Sequence, residues 1–221
     1  MTIRTIVIYP DQRLFKSAAM VDVSADKLQD VRVVAQDLFD TMRNASGVGI
    51  TAPHIGLFKR IVVLSLPDSD GAPNPIRGAG GADTGAGADV STGGGNNDDT
   101  DDGIRAAAED GVEHNVDAAV ASDYQVYINP EIIAASPDTV QFEEGSISMP
   151  GVIEKIVRSA RVTIRYVDLN GDTRIEEAEG FRAVCHQHEI DQLNGVFWTE
   201  KLSRLKRERV VTRFVKLRRG A

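Results

Sequence analysis

The feature that most constrains this chain is a 57-residue interruption. Between Pro67 and Asp123 lie eleven of its twenty glycines and thirteen Asp or Glu against two Arg, a local charge of −11. Apart from a faint Ala-rich patch at 104–108 the stretch has no apolar periodicity. Gly, Asp, Ala and Asn bury too little surface to offset chain entropy, so residues 67–123 are expected to be disordered. A core must then come from 1–66 and 124–221 together, and those 164 residues suit one domain. The single cysteine excludes an internal disulfide framework and a Cys-only zinc site. No run of about 18 apolar residues exists to span a membrane. Met1–Arg13 lacks the apolar stretch of a signal peptide, so the expected location is cytoplasmic.

Both flanks carry regular patterns. Leu28, Val31, Ala35, Leu38 and Met42 recur at helical steps, predicting a helix from about Ser24 to Asn44 with Ser24 as N-cap and Gly47 as stop. Arg60–Leu66 reads as a buried strand, and Tyr124–Ile128 as an alternating strand closed by Asn129-Pro130. Arg161–Val167 alternates strictly and runs into Asn170-Gly171, a hairpin signal with Asp172–Glu177 as the returning strand. Gly180–Leu193 reads as a helix, and Glu200–Arg219 as a charged one. Short strands, hairpins and helices that do not alternate with strands indicate an α+β fold.

The chemistry concentrates in three segments. Gly47-Val48-Gly49-Ile50-Thr51-Ala52-Pro53-His54 is a glycine-rich loop after the first helix. Glu143-Glu144-Gly145-Ser146-Ile147-Ser148-Met149-Pro150-Gly151 is an acidic Gly-Ser segment between strands. His188-Glu189 on the second long helix suggests an imidazole beside a general base, but the position one turn on, where a second metal ligand would project from the same face, is Gln192.

In order and spacing these segments resemble the GxGxAAxQ, EGCLS and HExDH motifs of the peptide deformylase family. The likeness extends to Ile8-Tyr9-Pro10-Asp11-Gln12-Arg13-Leu14, Arg60–Leu66, Ile128-Asn129-Pro130-Glu131, Arg158 and Gln187, and covers the chain except for 67–123. It implies antiparallel sheets packed around a central motif-bearing helix. It also implies hydrolytic removal of the formyl group from N-terminal formyl-methionine of nascent polypeptides, with Fe²⁺ or Zn²⁺ held by one Cys and two His. In that scheme a Glu relays the proton of metal-bound water, and a Gln and a backbone N–H stabilise the oxyanion.

Carried onto this chain, the family's roles give Glu189 as base, His54 at the oxyanion Gln position, and Ile147 as the backbone donor. Val48, Gly49, Gly145, Phe181, Val184 and Cys185 fall at substrate-binding positions, and Val48, Ile147, Phe181, Val184 and Cys185 match the family's apolar methionine pocket. His188 is the retained metal ligand, whereas Ser146 stands in place of the Cys and Gln192 in place of the second His. A serine hydroxyl stays protonated near neutral pH and is a weak ligand beside a thiolate, so the site reads as degenerate. The family's arginine a few residues after EGCLS has no match at Ile153. Two alternatives stay open: a rebuilt zinc site using His54, His188 and Glu189 or Ser146, and Cys185 as a replacement thiolate in place of a packing residue. His186 points away from His188 and reads as structural or exposed.

Two functions follow: a metal-dependent amide hydrolase, or a non-catalytic module that binds formyl-methionyl peptides or the ribosome. The second partner is suggested by the C-terminus, where residues 201–219 hold nine Lys or Arg against one Glu. Such a helix suits RNA phosphate, and the resemblance implies ribosome docking. Neither a membrane nor DNA is indicated as a partner.

Overall fold

The computed structural model describes residues 2–66 and 124–220, so the disorder expected for 67–123 lies outside the described residues. Helix α1 spans Ala25–Asn44. Its stripe of Leu28, Val31, Ala35, Leu38, Phe39 and Met42 is buried. It packs on Ile50, Ile61, Val63, Val126 and Ile128 of the neighbouring strands. Each large side chain removed from water there contributes about 1.5–3 kcal/mol. Ser24 occupies the N-cap position, but its side chain makes no capping bond. The helix stop also differs from expectation. Ser46, at φ 54°, takes the left-handed conformation, and the Gly47 N–H closes back on the Met42 carbonyl at 2.9 Å.

Five strands form one antiparallel sheet in the order β1-β2-β3-β6-β7: β1 Gly49–Thr51, β2 Ile61–Leu64, β3 Gln125–Ala135, β6 Arg161–Val167 and β7 Thr173–Glu179. Strand β3 does not end at Asn129-Pro130. It runs on to Ala135, because a register shift between Ile128 and Glu131 absorbs the proline, which has no N–H to give to a ladder. Asn129 sits there at φ 52°, and its side-chain amide bonds both the N–H and the carbonyl of Val21. The β6–β7 hairpin forms as expected. Gly171 N–H bonds the Asp168 carbonyl, and Gly171 then takes φ +88°, a conformation that disfavours any residue with a Cβ.

A second sheet is the hairpin of β4 (Thr139–Ser146) and β5 (Met149–Ser159). The acidic Gly-Ser segment is therefore the end of β4, the turn after it and the start of β5. Helix α2, Gly180–Leu193, contacts strands of both sheets and so occupies the centre. A 3₁₀ turn at Trp198–Lys201 precedes helix α3, Arg204–Arg219, which buries Val210 and Phe214 and packs on β5.

Candidate functional site

Helix α2 carries His188 and Glu189 to the place where both sheets meet it. His188 Nδ1 lies 2.8 Å from Oε2 of Glu144, a buried carboxylate on β4. Glu144 is held in turn by Arg158 of β5, whose Nε and Nη2 bond its two oxygens at 2.8 Å each. Arg158 also bonds Asp191 on α2. Burial opposes ionisation of Glu144, but hydrogen bonds from Arg158 and His188 hold its carboxyl down at about 2. Burial likewise works against a charged His188; the Glu144 hydrogen bond and charge outweigh it and raise that imidazole's pKa. A carboxylate on one ring nitrogen is the arrangement that orients a metal-binding histidine. The His188 ring is thus held by a buried carboxylate and guanidinium.

The rest of the ligand set is not. Gln192, at the second imidazole position, is buried and donates through Nε2 to the Leu14 carbonyl at 2.7 Å, tying α2 to the N-terminal segment. The Ser146 hydroxyl accepts the Ser148 N–H at 3.1 Å, closing the β4–β5 turn. Cys185 is buried in the cluster of Val62, Leu64 and Tyr127, and burial raises its thiol pKa far above ordinary. Among the described residues no three His, Cys, Asp or Glu side chains gather into a group able to hold a metal ion. The donor set does not fit the family's metal.

His54 has another occupation. It ends a reciprocal cap: the Thr51 side chain accepts the His54 N–H, and His54 Nδ1 accepts the Thr51 N–H at 3.0 Å. A histidine fills the place that Glu or Gln takes in the usual capping box. Burial, helped by the charge on His188, lowers its pKa to about 3, so the ring is neutral. With Nδ1 accepting a backbone N–H, the ring's one proton sits on Nε2, which is left without a lone pair for a metal. That arrangement speaks against a zinc site rebuilt on His54.

Glu189 is buried on α2, and a Cβ at Gly49 would overlap its Oε1 and crowd Leu64, so one of those side chains would have to shift. Its Oε2 has no partner among the described residues, and burial pushes its carboxyl up to about 7. Val48 and Phe181, both half-buried, pack with Cys185 on one side of α2, and Val184 is buried on the same helix. Ile147 packs instead with the α1 cluster, where its Cγ2 faces Gly47. Gly145 lies in β4 one residue before Ser146. Val48 and Phe181 thus pack on the cluster that contains Cys185, and the Ile147 side chain on the α1 cluster.

Two features escaped the sequence reading. The Thr51–His54 cap had a signal, Thr three residues before a ring able to accept. The Gln192–Leu14 bond joins residues 178 apart and had none. His186, read as structural or exposed, is buried edge-on to Tyr127 with Nε2 3.2 Å from Glu176.

The polypeptide deformylase sequence model matches residues 3–208. A protein of Brucella melitensis named peptide deformylase-like is 42% identical over 219 residues, 99% of this chain and 100% of that one. A protein of Afipia carboxidovorans named peptide deformylase is 32% identical over 216 residues, 98% of this chain and 96% of that one. The crystal structure of peptide deformylase from Ehrlichia chaffeensis superposes with a TM-score of 0.67 at 29% identity, covering 99% of this chain and 98% of its own. With sequence and fold matched over nearly their whole length, the chain belongs to the polypeptide deformylase family.

Proposed function

We propose that this chain binds formyl-methionyl ends of polypeptides and does not hydrolyse them by the family's metal-assisted route. The observation that carries this reading is Gln192, whose side chain is engaged by the Leu14 carbonyl where the family places a ligand imidazole. Ser146 adds a turn hydroxyl in place of a thiolate. What remains is the recognition half of the site: the apolar residues Val48, Phe181 and Cys185, which share one cluster and suit a methionine side chain. The family's hydrolytic reaction is the second reading, favoured by the support that Glu144 and Arg158 still give His188. The basic face of α3, with Lys206 paired to Glu154 and Arg213 and Lys216 along an open groove, suits ribosomal RNA, and the setting would then be cytoplasmic. Among the described residues no helix is long and apolar enough to cross a membrane.

The test is formate release from formyl-Met-Ala-Ser by zinc- or iron-reconstituted protein, beside calorimetric binding of the same peptide. Binding without formate is expected. Turnover abolished by Glu189→Ala would sink the reading.

A further inference from the structure

We infer that Gln192 and residues 7–14 form a cross-link made of protein where the family's metal would join β4 to α2, with Gln192 as the positioning residue. The inference goes beyond the binding reading and holds whichever ligand the site takes. On the family's plan one metal joins position 146 on β4 to positions 188 and 192 on α2. In this chain Ser146 and Gln192 are both engaged in other bonds, and those bonds lead to one N-terminal segment.

The link runs bond by bond. The Ser146 hydroxyl accepts the Ser148 N–H at 3.1 Å, and the Ser148 carbonyl accepts the Tyr9 N–H at 2.9 Å. Beyond Tyr9 the chain enters the 3₁₀ turn Gln12–Phe15, which Asp11 caps by accepting the Arg13 N–H. The Leu14 carbonyl of that turn accepts a proton of Gln192 Nε2 at 2.7 Å, which closes the path on α2. Packing stiffens the path. Val7 and Leu14 are buried in one cluster with Met149 and Val152 of β5, and the Tyr9 ring stacks on Phe197 at 5.5 Å. The Val7 N–H also bonds the His54 carbonyl at 2.7 Å, so the glycine-rich, acidic Gly-Ser and His-Glu segments all meet the same stretch of chain. The backbone bonds tolerate almost any side chain. The bond from Gln192 does not: an apolar residue there leaves the Leu14 carbonyl buried without its donor, and the path between the β4–β5 turn and α2 is cut.

The experiment is hydrogen exchange, read by mass spectrometry, on the full chain after chelator treatment. Segments 7–14 and 145–150 are followed at short labelling times, at which β3 and β6 stay protected. In the wild type both segments are expected to be equally protected with and without added zinc. Gln192→Leu is expected to speed their exchange about tenfold, the effect of losing one buried hydrogen bond on a local opening. Val126→Ala, which weakens the α1 core instead, leaves them unchanged at those times. In Ser146→Cys/Gln192→His the imidazole Nδ1 sits one bond nearer the backbone than Gln Nε2 and falls short of the Leu14 carbonyl. Protection there is expected only when zinc is added. Because Gln192→Leu can fail to fold, the side-chain amide protons of Gln192 give a second readout in the wild type, and slow exchange with solvent is expected. Freely exchanging Gln192 protons overturn the inference. So do wild-type segments that gain protection from zinc, Gln192→Leu segments no faster than those of Val126→Ala, or a double variant protected without zinc.

Discussion

Arg158→Met is the substitution with the largest expected consequence away from the substrate wall. Arg158 is 5% exposed and joins β5 to Glu144 on β4 and to Asp191 on α2. Methionine fills a similar volume but leaves the buried Glu144 carboxylate with His188 alone. Breaking a buried ion pair from one side costs about 3–5 kcal/mol, so the urea midpoint at pH 7 should fall by roughly 1–2 M at an m-value of about 2–3 kcal/mol/M. The effect has a pH signature. The Glu144 carboxyl is depressed from 4.5 to about 2 in the fold. A depressed carboxyl contributes stability above its unfolded value that is lost as pH falls through the folded one. In the wild type that contribution, on the order of 3 kcal/mol, is present above pH 4.5 and disappears towards pH 2. The gap between wild type and variant should be widest above pH 4.5 and narrow below it, because a protonated Glu144 no longer needs the guanidinium. Urea melts at pH 7 and between pH 4.5 and 3 measure both. A loss under about 1 kcal/mol at pH 7, or a gap that does not change with pH, would refute the ion-pair account.

Two further outcomes follow from the same contacts. Gln192→Leu should destabilise the fold by about 1–3 kcal/mol in chemical denaturation, since it strips the buried Leu14 carbonyl of its donor; an unchanged midpoint would mean the tie contributes nothing. Gly49→Ala puts a Cβ onto Glu189 Oε1 and within 2.9 Å of Leu64 Cδ2, so about 1–3 kcal/mol of stability and the formyl-peptide affinity should fall together.

Much of this fold is legible in the sequence because its signals are local. The α1 stripe and the β6–β7 alternation each need only a dozen neighbouring residues to declare themselves, and both elements form where expected. Strand β5 is not legible: Met149–Ser159 mixes buried Val152, Ile156 and Arg158 with exposed Val157, so neither period dominates. Asn129-Pro130 looks like a strand end, yet Asn129 tolerates a left-handed φ and ties itself to Val21, which lets β3 bend through. At the site, the sequence alone shows which residue types are present, including Ser146 and Gln192. It does not show what those side chains hold. The bonds from Gln192 to Leu14 and from Arg158 to Asp191 cross long stretches of chain, and only the fold brings their ends together. The tautomer of His54 belongs to an intermediate class: the Thr-x-x-His spacing is visible, but its meaning depends on a turn beginning at Thr51.

The central claim is that a deformylase fold persists here around a site unfit for the family's metal. Metal content per chain, measured on untagged protein after incubation with zinc or ferrous iron and gel filtration, tests it most directly when set beside Ser146→Cys/Gln192→His. The double variant restores the missing thiolate and imidazole around a His188 that Glu144 and Arg158 already orient. Stoichiometric metal is expected in the double variant and far less in the wild type. Stoichiometric metal in the wild type, released on substituting His188, would contradict it.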